Sequence, residues 1–379
     1  MKHNLLLLLI ASALAHASLG QIVVDLPFVS QKAISAQTIG ITDITVEYSR
    51  PAINGRKVWG GLVPYGFNSP TFAGPSNAPW RAGANWNTTL SISHDAKIEG
   101  KDVKAGKYGF FVAVNENNTA TIILSRENGA WGSFSYNPEE DALRVTVETK
   151  SIEEVELLTF SFDTVQPQSA ILSLKWANKE IPIRLEVDVN ATVIASLKEQ
   201  FKRPVTFSWQ SHAQAAAYLL GSNGSIPIAS QRANLELALQ WANESIYGLP
   251  QAPGEKNFIT LSTKSTILFM LDSISQSREA LAEALKNPGN ATLPVVNGYG
   301  RSLITAKRND DALTVYTWML KQWPDNWASK HGMARALSAN GKYKEAIKFE
   351  TEAHAKAPDS MKKQLEGFIE LLKQGKDFN

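Results

Sequence analysis

From about Ile34 to Val187 apolar and polar residues alternate in short runs. Leu90/Ile92, Tyr108/Phe110/Val112/Val114, Ile122/Leu124, Leu143/Val145/Val147, Leu158/Phe160/Phe162, Leu172/Leu174/Trp176 and Ile181/Ile183/Leu185/Val187 all keep a period of two. That period puts one face of each run in a core and the other in water, so each run is read as a β-strand. Asp95-Ala96-Lys97, Glu99-Gly100-Lys101-Asp102, Lys104-Ala105-Gly106-Lys107 and Asn115–Asn118 fall between the runs and read as turns. Their spacing predicts an antiparallel β-sandwich or jelly roll. No strand alternates with a helix here. The glycines of Gly60-Gly61 lack a following helix to aim amides at a phosphate, which argues against a dinucleotide or phosphate-loop fold.

Past Val189 the period lengthens to three and four residues over Thr192–Phe201, Ser208–Leu220 and Ala233–Tyr247, the mark of amphipathic helices. Further on, Gly300, Leu303, Ala312, Tyr316 and Pro324 recur thirty-four residues later as Ala334, Leu337, Ala346, Glu350 and Pro358, with Glu350 the weakest match. Thirty-four residues is the tetratricopeptide period: small residues let paired helices approach, and proline ends the second helix. Two repeats are read at about 293–326 and 327–360, with Met361–Lys373 as a polar cap. Trp209–Tyr247 and Asn257–Lys286 read as degenerate helix pairs that supply the neighbours a repeat stack needs. The expected architecture is β + α in two domains, an antiparallel β-sandwich over 30–189 followed by an all-α TPR-like domain over 190–379.

One stretch breaks the alternation. After the strand Ile44–Tyr48 come Ser49-Arg50-Pro51 and the run from Gly55 to Gly66, and Trp80-Arg81-Ala82-Gly83-Ala84-Asn85 repeats their chemistry after a Ser/Pro/Gly/Asn-rich excursion, Phe67–Pro79. Arginines, aromatics and glycines in this mixture are too irregular for a sheet and too apolar for a disordered linker, and predict folded loops. These segments, with Ala105-Gly106-Lys107-Tyr108-Gly109-Phe110-Phe111 and Trp131-Gly132-Ser133-Phe134-Ser135-Tyr136, resemble successive motifs of an exported bacterial family catalogued as domain of unknown function 2911, over roughly Ser30–Asp188. The family passes from Pro-Tyr-Gly to Trp-Arg with little between, so the excursion is a departure placed to cover or reshape whatever the two loops form. The resemblance implies a domain boundary and no reaction.

Composition narrows the functions. Thirty-eight basic against thirty-six acidic residues leave a formal charge of +2, and no basic run marks a nucleic-acid partner. With no cysteine in the chain, disulfides, thiolate catalysis and cysteine-ligated metals are excluded. Met1–Asn4, the apolar run Leu5–Ile10 and the small residues around Ala15-His16-Ala17 have the form of a secretory signal over 1–20, predicting a periplasmic or secreted protein. Later apolar stretches are too short for a membrane span.

Candidate chemistry is sparse, and neither a metal nor a cofactor is expected. His94, His212, His331 and His354 lack zinc-ligand spacing. His94 beside Asp95 reads as a general-base pair or, in preference, as a histidine satisfying a turn. Glu139-Glu140-Asp141 reads as a solvated turn and Arg144 as a surface charge. The strongest group is Arg50, Arg56, Trp59, Trp80, Arg81, Asn85 and Trp131. Guanidinium forks suit carboxylate or phosphate and indole faces suit sugars or planar groups. On the bland alternative the tryptophans plug the sandwich and the arginines tie loop carbonyls. Two functions follow: a non-catalytic protein or peptide partner on the helical repeats, or a glycan or anionic small molecule bound, less readily cleaved, at the arginine loops. The arginines separate the two by opening into one pocket or by capping carbonyls.

Overall fold

The computed structural model describes residues 27–68, 78–203, 208–221, 232–250, 252–289 and 291–379. The leader read at 1–20 and all but the ends of the Phe67–Pro79 excursion lie outside them. The chain divides into two compact units, one up to Thr192 and one from Val193.

Among the described residues of the first unit ten strands run in chain order: β1 (Lys32–Ile39), β2 (Thr42–Ser49), β3 (Thr89–Ile92), β4 (Ala96–Ile98), β5 (Lys101–Val103), β6 (Gly106–Val114), β7 (Thr119–Ser125), β8 (Asp141–Glu148), β9 (Lys150–Gln166) and β10 (Ser169–Glu186). They form a six-stranded sheet ordered β1-β2-β3-β6-β7-β8 and a four-stranded sheet ordered β5-β4-β10-β9, with antiparallel pairing throughout. Alternation buries Ile44, Val46, Leu90, Phe110, Ile122 and Leu124 from the first sheet and Leu158, Phe160, Leu172 and Leu174 from the second. The sheets meet at Phe160, whose ring takes Tyr48 edge-on at 4.8 Å and Phe110 at 5.5 Å. The buried Tyr48 hydroxyl accepts the Phe160 N–H at 3.1 Å, so the aromatic contact also satisfies a polar group.

Two strands depart from the expected pattern. Leu172/Leu174/Trp176 and Ile181/Ile183/Leu185 lie on one strand, although their parity switches from even to odd. Register shifts flank Ala177, whose φ is +47°, and this bulge returns the later side chains to the core face. Ala96-Lys97 belongs to β4 rather than to a turn, because a three-residue strand is too short to display alternation; the turn of that hairpin is Glu99-Gly100, both at positive φ. Both parities of β6 and β7 are buried, since Phe111 and Ile123 pack with Ala78, Tyr136 and Phe67 on the sheet's other face. The loops after β2 and β7 therefore form a cover on that face.

Among the described residues ten helices follow: α1 (Val189–Gln200), α2 (Trp209–Leu219), α3 (Arg232–Tyr247), α4 (Phe258–Met270), α5 (Ile274–Lys286), α6 (Leu293–Thr305), α7 (Asn309–Gln322), α8 (Trp327–Ala339), α9 (Tyr343–Lys356) and α10 (Asp359–Lys373). Asn257 starts α4 with a reciprocal capping box to Thr260, and the Asn326 side chain starts α8 by accepting the Ala328 N–H. α6 and α8 begin thirty-four residues apart, and Gly300, Ala334, Leu303, Leu337, Ala312 and Ala346 are all buried between paired helices. The fully buried Tyr316 ring of α7 enters where Gly300 and Gly332 lack side chains; a Cβ on Gly332 would lie 2.3 Å from it. Arg308, before α7, donates to Asp311 at 2.8 Å and to Ser265 and Ser277 at 3.1 and 3.0 Å, which ties α7 to α4 and α5. Among the described residues no helix is long and apolar enough to cross a membrane.

Candidate functional site

The loops around β2, β3 and β7 enclose a cavity of about 600 Å³ that includes Arg50, Arg56, Trp80, Arg81 and Trp131 in its lining. Five of the seven candidate residues therefore meet at one place. Trp59 and Asn85 do not line it. Trp59 is buried edge-on against Trp80 and Trp176, with centroids 6.0 and 6.1 Å away, and Asn85 donates to the Ser30 carbonyl and the Ser49 hydroxyl, tying the loop to β2.

The segment Trp80–Asn85 is positioned by backbone. Trp80 exchanges both backbone hydrogen bonds with Val112, extending the ladder along β6 beyond β3, and its indole N–H donates to the Gly83 carbonyl at 3.2 Å. The buried Ala82 then takes φ of +52° and its carbonyl accepts the Thr88 hydroxyl. A left-handed alanine costs about 1–2 kcal/mol, a strain the surrounding contacts hold in place. Arg81, just before this alanine, lines the cavity.

The three arginines differ. Arg50 donates through Nε to the Leu158 carbonyl at 2.9 Å and through Nη2 to the Thr159 hydroxyl at 2.7 Å. Arg56 donates to the Ile53 and Ala52 carbonyls at 2.9 and 2.6 Å. Both thus cap neutral acceptors while bordering the cavity. Arg81 has no hydrogen-bond or ion-pair partner among the described residues, and its Nε is fully buried. Burial alone pulls its guanidinium below the ordinary arginine value. Its Nη1 lies where a Cβ on Gly132 would stand 2.9 Å away, so the loop after β7 makes room for it with a glycine at φ +70°.

Apolar walls complete the cavity. Trp176 of β10 stacks on Trp80 at 5.8 Å with planes 17° apart, and Leu157 and Phe134 also line it. These three were not among the sequence candidates; Trp176 carried a signal in the core parity it shares with Leu172 and Leu174. Trp131 is 41% exposed and meets Trp86 edge-on at 5.1 Å, and Trp86 is itself 56% exposed. The described lining contains no Asp, Glu, His or Lys, and its Ser133 hydroxyl donates to the Pro79 carbonyl at 2.6 Å. No described lining residue can serve as an acid–base pair or an activated nucleophile.

The other candidates have local roles. Asp95 pairs with Lys104 at 2.7 Å and accepts the Ala105 N–H, while His94 meets the Ser93 hydroxyl, so no His-Asp dyad forms. Glu139 and Glu140 are in a solvated single-turn helix, but Asp141 is drawn in: it accepts from the Tyr136 hydroxyl at 2.9 Å and pairs with Arg144. Arg144 is accordingly no isolated surface charge. It also donates to the Tyr136 hydroxyl and lies over the Phe67 ring at 5.3 Å. Among the described residues no three metal-ligating side chains gather.

In the helical unit the last residues fold back on α8. The buried Phe378 ring stacks on Phe368 at 4.6 Å and lies 5.9 Å from His331, while the Arg335 guanidinium sits 5.4 Å over it. Ser338 donates to Asp377 at 2.5 Å, and Arg335 and Asn379 exchange two bonds, Nη1 to Oδ1 at 3.1 Å and Nδ2 to the Arg335 carbonyl at 3.0 Å. A segment without regular structure is thereby held by one aromatic anchor and a ring of polar contacts.

Solved structures similar to this chain include MamA AMB-1, at 12% identity and a TM-score of 0.25 over 44% of this chain and 87% of that one. MamA MSR-1 is similar at 12% identity and a TM-score of 0.26, over 46% and 96%. No curated protein matches the chain. Residues 30–185, spanning the β unit and its cavity, match the model of the family described as protein of unknown function DUF2911.

Proposed function

We propose that this chain is a non-catalytic binding protein whose helical repeats hold an extended segment of a partner protein. The observation that supports this reading is the seating of Asp377, Phe378 and Asn379 on α8, where a phenylalanine anchor and side-chain contacts to Arg335 and Ser338 hold chain without regular structure. Protein interfaces concentrate affinity in the same way, in a buried aromatic ringed by contacts that exclude water. A cavity in the β unit lacking acid, base and free nucleophile in its described lining fits a binding rather than a catalytic role. The basic and apolar start of the sequence supports a periplasmic or secreted location for this activity.

A chain ending at Gly375 tests the reading when titrated with a labelled peptide of residues 370–379. Saturable binding that disappears when Phe378 of the peptide is alanine is the expected result. A shortened chain that keeps its helical signal yet takes no peptide refutes the reading.

A further inference from the structure

We infer that the cavity beside Arg81 is a binding site for a small oxyanion, a carboxylate or phosphate, carried on a flat apolar body. Three arginines border it, and the described lining holds no carboxylate to balance them. Arg50 and Arg56 donate only to uncharged oxygens, so their contacts fix direction without removing charge. Each keeps Nη1 without a hydrogen-bond partner among the described residues. Arg81 has no acceptor among the described residues, and its buried Nε–H demands one.

The fold nevertheless holds Arg81 there by specific means. The next residue, Ala82, is held left-handed, and Gly132 clears a place for Arg81 Nη1 that any side chain would fill. Strain and desolvation without an internal return are what a preorganised ligand site shows before its ligand arrives. A planar oxyanion accepts two parallel N–H bonds from one guanidinium, which suits the unpaired fork. The remaining wall is aromatic: Trp80 stacked on Trp176, with Phe134 and the half-exposed Trp131, and it calls for a flat apolar body rather than a bare ion. A volume of about 600 Å³ lies in the range for small-molecule sites.

The full chain, titrated with benzoate, phenyl phosphate, inorganic phosphate, benzyl alcohol and benzylammonium, gives the test, read by melting temperature and by intrinsic fluorescence, since tryptophans line the cavity. Benzoate or phenyl phosphate should raise the melting temperature progressively with concentration and change the fluorescence saturably, more weakly as salt is added. Which of the two wins separates carboxylate from phosphate. Inorganic phosphate should act more weakly than phenyl phosphate, and the neutral and cationic probes should not act. Arg81→Met should leave the unliganded melting temperature equal or higher and weaken the aryl-anion response about 10- to 100-fold, the range for losing charge-assisted hydrogen bonds. The inference is overturned if no anion acts on the parent, if benzylammonium acts as well as benzoate, or if Arg81→Met keeps the response. An Arg81→Met chain that melts far below the parent also overturns it, because Arg81 would then be a structural residue.

Discussion

Glu350 stands thirty-four residues after Tyr316, in the same position of the next repeat, and both side chains are completely buried. They fill that position by different chemistry. Tyr316 packs its ring against Gly300 and Gly332 and donates its hydroxyl to Asn297, whereas Glu350 takes His331 at 2.9 Å. The weakest match in the repeat is thus a substitution of a polar pair for an aromatic plug. Arg335 fixes the tautomer: its Nε donates to His331 Nε2 at 3.0 Å, so the imidazole proton sits on Nδ1 and points at Glu350. A neutral histidine therefore bridges a guanidinium and a buried carboxylate.

His331→Leu should cost about 3–5 kcal/mol in urea unfolding of the helical unit, because it leaves a buried carboxylate without its donor. Glu350→Leu should cost less, since the neutral imidazole keeps Arg335 on its other face. Equal costs for the two would show that the pair is held by packing alone.

Gly332→Ala puts two effects in opposition. Alanine is the better helix former by about 1 kcal/mol, but its Cβ would lie 2.3 Å from the Tyr316 ring, which has no free space to yield. The variant should be less stable by about 1–3 kcal/mol, and Tyr316→Leu in the same chain should recover part of the loss. A more stable Gly332→Ala would mean that the helices of neighbouring repeats separate readily.

Much of the fold class could be read from the sequence because the alternation of β2, β6, β8 and β10 and the thirty-four-residue recurrence each repeat a local rule. β4 was hidden by its length, and the bulge at Ala177 showed only as a parity switch between Trp176 and Ile181. The arginine and tryptophan loops stood out as types of residue, but not by their partners. Arg50 finds the Leu158 carbonyl and Arg81 finds only a gap above Gly132, and both facts are set by segments distant in the chain. Trp59 and Trp80 look alike in sequence, yet only Trp80 borders the cavity.

Trp80→Ala should destabilise the β unit by about 3–5 kcal/mol, since the ring is buried between Trp176 and Trp59 and anchors the loop through Gly83. Gly132→Ala should cost less, about 1–2 kcal/mol for a side chain at φ +70°, and it should displace Arg81 Nη1. Denaturant unfolding ranks the two. A Gly132→Ala chain that retained an undiminished benzoate response would mean that Arg81 need not lie where the structure places it.

Alkaline pH should weaken both units through two tyrosines. Burial, as the main cause, pushes Tyr136 and Tyr316 up to about 12 from an ordinary 10.0, and at Tyr136 the bonded Asp141 carboxylate adds to it. The folded chain keeps these two protons where the unfolded chain releases them. Their stabilisation is therefore fully present below pH 10.0 and is lost as pH rises through about 12. Urea midpoints measured across this window should fall with pH, and Tyr316→Phe should flatten the fall for the helical unit while Tyr136→Phe flattens it for the β unit. Phenolate absorbance gives an independent check, because Tyr136 and Tyr316 should ionise only as the protein unfolds. Ionisation of Tyr136 and Tyr316 near pH 10.0 in the folded chain, with midpoints unchanged across the window, would show that neither hydroxyl is shielded as the structure has it.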